Sequence, residues 1–218
     1  MSKIILKQGD CMELISKIKD NSIRLLLTDI PYDDINRKDN GLRKLDKGIA
    51  DIPTFDLEAW LQTIYDKANI FAIFCSPPQV SPIYNFFKNK RLEGKGTLRQ
   101  LIWSKTNPSP MNGEYVYLSS VENCIWFKKK GTGKINRKCA KAVIEAPTGS
   151  SKYHPTEKNH KLLKQIILDN TDENDWILDC CMGSGSTGMV AKTLNRNFIG
   201  FELDEKYFNI AKDRINNV

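Results

Sequence analysis

No stretch of this 218-residue chain approaches the roughly 18 consecutive apolar residues that a membrane-crossing helix needs. The opening MSKIILKQGD lacks the apolar core of a secretory leader. The six cysteines form no CxxC pair and no Cys/His spacing that would hold zinc, and several sit inside apolar runs, the pattern of buried thiols in a reducing compartment. Internal repeats, low-complexity tracts and linkers long enough to divide domains are missing too. These absences argue against a membrane protein, a disulfide scaffold, a zinc module and a repeat array. They lead us to expect one soluble cytoplasmic domain spanning 1–218, with no resident metal. Acids are also in deficit, 26 against 33 Lys and Arg, which gives a formal charge of +7 and a pI near 9.0. That excess concerns partners rather than fold, and makes polyanions the first suspects.

What is present is an alternation of strands and helices. IRLLLTD (23–29) is an apolar run ending in an acid, the mark of a strand covered on both faces in a parallel sheet. Leu57, Trp60, Leu61, Ile64, Tyr65 and Ala68 recur at helical spacing. IFAIFCS (70–76), LIWSKT (101–106) and ENCIWFKK (122–129) read as further strands, with SPPQVSP as a turn after the first. HKLLKQIILDN (160–170) reads as a helix, DWILDCC (175–181) as a strand, MGSGS as a glycine-rich turn and TGMVAKTL as a helix. NFIGFEL (197–203) and DEKYFNIAKDRI then add a strand and a last helix. Helices of this length between strands predict a three-layer α/β fold around a doubly wound, mostly parallel sheet.

Two strand ends carry candidate chemistry. In DCCMGSGSTG (179–188), Gly183 and Gly185 let the backbone turn tightly against a ligand before a helix that begins near Ser186. About 20 residues on, Glu202 closes the next strand, where an acid accepts hydrogen bonds from ribose hydroxyls. The turn is not a P-loop, and its arithmetic match to GxGxxG is weak evidence by itself. The other strand end is TDIPY (28–32). The exocyclic amine of adenine has its lone pair delocalised into the ring, so methylating it requires acceptors aimed at its N–H hydrogens. Asp29 and the carbonyl of Ile30 are candidates for these acceptors, with Pro31 stiffening the turn. Tyr32 offers a flat face for a flipped base, and such stacking is worth about 1–3 kcal/mol.

TDIPY resembles the (D/N/S)PP(Y/F) motif of amino-directed DNA methyltransferases, and DCCMGSGSTG resembles their DPF-x-GSGTT S-adenosylmethionine loop. HPTEKN (154–159) is similar to their HPTxKP element, and FIGFELDEKYFNIAKDRI to the strand and helix that follow the cofactor loop. The catalytic motif precedes the cofactor motif, the circularly permuted order of the beta class. The resemblance implies a Rossmann-like methyltransferase fold, S-adenosylmethionine as cofactor and methyl transfer to N6 of a flipped adenine in double-stranded DNA. It also implies roles. Asp29, Ile30, Pro31 and Tyr32 would hold the base, and Asp179, Met182, Gly183 and Gly185 would line the methionine part of the cofactor. Glu202 would take the ribose, Asp10 and Cys11 would approach the adenine, and His154, Thr156 and Lys158 would close over the methionine end. Ile30 stands where the family has its first proline, and Cys180-Cys181 where it has Pro-Phe. Aspartate in the first position leans toward adenine.

Blander readings stand beside these. Asp29 and Glu202 could be strand-end acids, Asp204 a cap for the last helix, Thr156 a cap for the helix at 160, and His154 a turn residue. Asp33 and Asp34 read as loop acids. KKKGTGKINRKCAK (128–141) carries seven Lys or Arg and no acid. Charge runs are usually solvated faces, but this one opens the 128–153 stretch where the beta class keeps its target-recognition region. A homodimer and a companion restriction endonuclease are expected partners. The alternatives are a non-catalytic DNA-binding subunit, or the same chemistry on cytosine N4 or RNA.

Overall fold

Residues 23–29, expected to be covered on both faces, are so in the computed structural model. Leu25 and Leu27 pack into one layer and Leu26 into the other, and each is at most 1% exposed. The structure describes residues 2–31, 56–110, 113–148 and 157–218. Along them the chain runs β1 (Ile4–Gln8), α1 (Cys11–Ser16), β2 (Ile23–Asp29), α2 (Leu57–Lys67), β3 (Ala68–Cys75), α3 (Pro77–Leu92), β4 (Gly96–Lys105) and β5 (Val121–Lys129). It continues through β6 (Val143–Ala146), α4 (His160–Asn170), β7 (Trp176–Asp179), α5 (Ser186–Thr193), β8 (Asn197–Glu202) and α6 (Glu205–Asn216).

The strands form one sheet in the order β1-β8-β7-β2-β3-β5-β4-β6. Every neighbouring pair is parallel except those made by β5, which runs antiparallel to both β3 and β4. Alternation along β3 sends Ile70, Ala72 and Phe74 to one face and Phe71, Ile73 and Cys75 to the other. Ile15, Trp60, Ile64 and Phe87 from α1, α2 and α3 cover the second face, and Leu163, Ile167, Ala191 and Ile215 from α4, α5 and α6 the first. The expected three-layer arrangement is what forms.

Local chemistry sets the helix starts. Asp56 accepts from Ala59 N (3.0 Å) and Asp204 from Tyr207 N (3.1 Å), so Asp204 is the cap its position promised. Thr156 is not the cap of α4; Asn159 is, accepting from Lys161 N (2.8 Å) and Leu162 N (3.4 Å). SPPQVSP is not a turn but the first part of α3. Pro77 and Pro78 occupy the first helical turn, where a missing N–H removes no intrahelical bond, and Ser76 with Gln79 makes a capping box. The four-residue edge strand β6 and the first half of β4 also went unpredicted from sequence.

Candidate active site

From β7 the chain passes through α5 to β8, on the β1 side of the sheet; from β2 it passes through α2 to β3, on the other side. The two progressions diverge between β7 and β2, and at such a switch point a crevice opens beyond the carboxyl ends of the strands. Asp179 ends β7, Asp29 ends the adjacent β2, and Glu202 ends β8 on the far side of β7. Two segments 150 residues apart in sequence are thus neighbours, and one hydrogen bond joins them. The hydroxyl of Thr28, beside Asp29, donates to Asp179 Oδ1 at 2.8 Å.

On the β7–β8 side, the turn after Asp179 is shaped by left-handed glycines, with φ of 50° at Gly183 and 83° at Gly185, which forms the N-cap of α5. A side chain at Gly185 would be strained by this φ and would bring its Cβ to 2.9 Å from that of Ala211. Glu202 is 5% exposed. It accepts from Gly183 N (2.8 Å) and Asp204 N (2.9 Å), so its carboxylate braces the turn. Asp179, 3% exposed, accepts from Cys181 N at 3.2 Å as well as from Thr28. Burial pushes the carboxyl of Asp179 up to about 6 and raises that of Glu202. Met182 anchors the turn through its N–H to Phe201 O (2.9 Å) while its side chain is buried in the α4–α6 layer. Asp10 caps α1 by accepting from Met12 N (2.7 Å), and Gly9 N donates to Glu202 O (2.9 Å), which brings Asp10 and Cys11 beside the β8 end.

On the β2 side, Ile30 is 2% exposed and packs in the α1–α3 layer, so the residue standing for the family's first proline fastens the turn by burial. The Pro31 carbonyl accepts from Gln79 Nε2 at 2.7 Å, while Gln79 Oε1 takes the Ser76 N–H at 3.0 Å. The capping residue of α3 therefore also fixes the turn after Asp29. Lys158 places its ammonium between Asp29, with which it is ion-paired, and Glu122 Oε2 at 2.9 Å, and it lies 5.2 Å from the centre of the Phe74 ring. Lys105 pairs with Glu122 Oε1, also at 2.9 Å. Burial is the largest single influence on the Glu122 carboxyl and pushes it up, but the two lysines together outweigh it and hold the carboxyl below the usual range. Glu157, which sequence reasoning passed over, turns the other way. It accepts from Ser186 Oγ at 3.2 Å and pairs with Arg214, whose guanidinium also donates to Ser184 O at 2.8 Å. Adjacent residues 157 and 158 thus fasten one segment to both the glycine turn and the Asp29 turn.

A DNA methylase family model matches residues 23–213. That span takes in both strand ends and everything between them.

The chain belongs to the DNA methylase family.

Type II methyltransferase M2.DpnII of Streptococcus pneumoniae is 30% identical over 241 residues, covering 98% of this chain and 90% of that protein. M2.LlaDCHI of Lactococcus lactis subsp. cremoris, also a Type II methyltransferase, is 30% identical with 97% and 89% covered. Among solved structures, the M1.HpyAVI–SAM complex superposes with a TM-score of 0.74 at 30% identity, covering 98% of this chain and 99% of that one. The fold of this DNA methylase is accordingly the Rossmann-like one of the S-adenosylmethionine-dependent enzymes.

The remaining expected site residues divide in two. Tyr32, His154 and Thr156 lie outside the described residues, as does the basic loop 33–48. The run 128–141 is described; before it climbs along β4 toward β6, where Ala142 O accepts from Ile102 N, it sits at the opposite end of the sheet, because β5 is antiparallel and ends at the amino edge, with Lys129 opposite Gly96. It is tied down there. Lys129 Nζ donates to Asn21 Oδ1 (2.9 Å), Asn136 N to Asp169 O (2.8 Å), and Arg137 pairs with Asp169 at 2.8 Å. Arg99, Lys128, Lys134, Lys138 and Lys141 line a cavity of about 860 Å³ that Trp126 also borders. No helix among the described residues is long and apolar enough to cross a membrane.

Proposed function

We propose that the carboxyl edge between β7 and β2 of this methylase carries a methyl group from S-adenosylmethionine to N6 of an adenine swung out of DNA. The observation that carries the reading is the Thr28–Asp179 hydrogen bond, which sets the Asp29 turn and the glycine turn around one crevice. The residues there suit the cofactor. Asp179 and Glu202 are buried carboxylates in no ion pair among the described residues, beside a turn of two left-handed glycines. A ligand with an ammonium, a sulfonium and two ribose hydroxyls brings cations and donors to such a pair. Asp10 and Cys11 flank the ribose end, where the adenine would lie, and Lys158 joins the cofactor side to the base side. When bound, the cofactor supplies an electrophilic methyl.

The chain's own groups do the rest. Asp29 and the Ile30 carbonyl accept the two N–H hydrogens of the amine, which turns its lone pair toward the methyl and offsets the positive charge that develops on nitrogen. The N6–C bond forms as the S–C bond breaks, and the surplus proton leaves through the Asp29 carboxylate to water. Gln79 and the buried Ile30 side chain keep the turn still, and Tyr32 stacks on the base. Neither a metal nor a covalent enzyme intermediate enters. Double-stranded DNA is the substrate, and segment 128–153 contributes to target recognition. The Type II names of the relatives are in keeping with a companion restriction endonuclease, and a homodimer is the assembly expected for the chain. Six free thiols suit the cytoplasm.

Mass spectrometry of nucleosides from unmethylated plasmid DNA, incubated with the protein and a deuterated-methyl cofactor, tests this. Labelled N6-methyldeoxyadenosine is expected. Labelled N4-methyldeoxycytidine would move the acceptor, and no label in either base would overturn the reading.

A further inference from the structure

The loop between β4 and β5, residues 106–120, is anchored at the active edge and apolar at its tip. It leaves the sheet after Lys105, returns at Val121, and carries one acid, Glu114, and no Lys or Arg. Its ends are pinned: Lys105 N donates to Ser120 O at 2.7 Å, and Asn107 Oδ1 accepts from Thr148 N at 2.6 Å. Gly113 N bonds Pro110 O at 3.0 Å, and a Cβ at Gly113 would lie 2.9 Å from Leu118 Cδ2, so Leu118 packs back under the loop. Against this built base, Tyr115, Val116 and Tyr117 are 85%, 60% and 102% exposed. Two tyrosines and a valine held in water on a pinned loop mark a contact surface. The loop is also coupled to the catalytic turn, since Lys105 pairs with Glu122, Glu122 with Lys158, and Lys158 with Asp29.

Resting on the adenine-methylating reading, we infer that Tyr115 and Tyr117 stack on the bases flanking the extruded adenine and hold the duplex open while its target occupies the Asp29 turn. Two considerations favour DNA as the occupant. The loop stands at the same sheet edge as Asp29. The reaction itself breaks two base-stacking contacts for each adenine withdrawn, which flat rings at the edge replace. A second copy of the chain fits less well, because three side chains at a loop tip fall far short of the ~800 Å² per partner of a stable interface. Without a cation or bidentate amide at the tip, the pair reads no particular sequence. It lowers the energy of the opened state.

The test compares wild type, the double variant Tyr115→Ala/Tyr117→Ala, and Tyr115→Phe/Tyr117→Phe, which keeps the rings. Each receives labelled cofactor with the same plasmid DNA, intact as a duplex or heat-denatured. Cofactor affinity and sedimentation are recorded beside kcat/KM. The double alanine variant is expected to lose roughly tenfold to a few hundredfold in kcat/KM on the duplex, and several-fold less on denatured DNA, where little stacking remains to break. It should bind cofactor as the parent does, and the phenylalanine variant should stay within about twofold of the parent. Equal rates on the duplex would overturn the inference, as would an equal loss on both DNA forms. So would a shift of the alanine variant from dimer to monomer. A parent that transfers no methyl refutes the parent reading instead; the inference then stands or falls on whether the alanine variant loses affinity for the plasmid duplex by fluorescence anisotropy.

Discussion

The two edges of the sheet handle charge in opposite ways. At the carboxyl edge Asp29, Glu122, Asp179 and Glu202 are largely buried, and each is tied by named donors from other segments of the chain. At the amino edge the charges are exposed cations in excess, and part of the basic run is held by backbone carbonyls and amides. Seven residues of β2 separate the edges, about 20 Å at ~3.3 Å per residue. The comparison teaches that, among the described residues, the cations of the run 128–141 are not gathered at the edge where the methyl transfer is proposed. On the proposed reading, attraction of a polyanion and orientation of an amine fall to separate surfaces, and changes at one edge should leave the other's task nearly intact.

The sharpest break should come from Lys158→Met. It removes the cation shared by Asp29 and Glu122 and leaves two part-buried carboxylates facing one another, so urea denaturation should show a loss of about 3–5 kcal/mol. A loss below about 1 kcal/mol would mean that the carboxyl edge is as loosely held as a surface.

A slightly smaller effect is expected from Asp179→Asn, with a pH signature. The Asp179 carboxyl is raised by burial to about 6, so between about pH 4 and 6 the folded chain holds a proton that the unfolded chain has already released. That group therefore favours folding at low pH and opposes it increasingly as pH rises through this window, by about 3 kcal/mol above pH 6. The asparagine variant should gain stability relative to wild type by about that amount between pH 4 and pH 7.5. A pH-independent difference would contradict the burial of an ionisable group there.

The legibility of the chain in its sequence follows the range of the forces involved. β2 and α4 lie where expected, at 23–29 and 160–170, because a buried central strand is a continuous apolar run and α4 repeats its apolar face at helical spacing. α3 was hidden by its prolines, although Ser76 and Gln79 spell the S-x-x-Q of a capping box and weigh toward a helix start. β6, four residues at the sheet edge, is too short for periodicity to register. In the site, the meeting of Asp29 with Asp179 was legible through the motif order and the strand ends. The fastening of residues 157 and 158 was not. Lys158 meets Asp29 across 129 residues, and Glu157 meets Arg214 across 57, which no local pattern encodes. The basic run was legible as charge but not as to which edge it occupies, because that depends on β5 running antiparallel.

The most direct test of a divided molecule sets Asp29→Ala beside Lys134→Ala/Lys138→Ala/Lys141→Ala in one labelled methyl-transfer assay on plasmid DNA, with cofactor affinity measured by calorimetry. The Asp29 variant should lose turnover by at least about a hundredfold while binding cofactor within about threefold of wild type. The triple variant should keep kcat and show only a raised KM for DNA that depends on salt. Undiminished turnover without Asp29, or a collapse of kcat when the three lysines are removed, would contradict the separation of chemistry from charge on which this enzyme's organisation is said to rest.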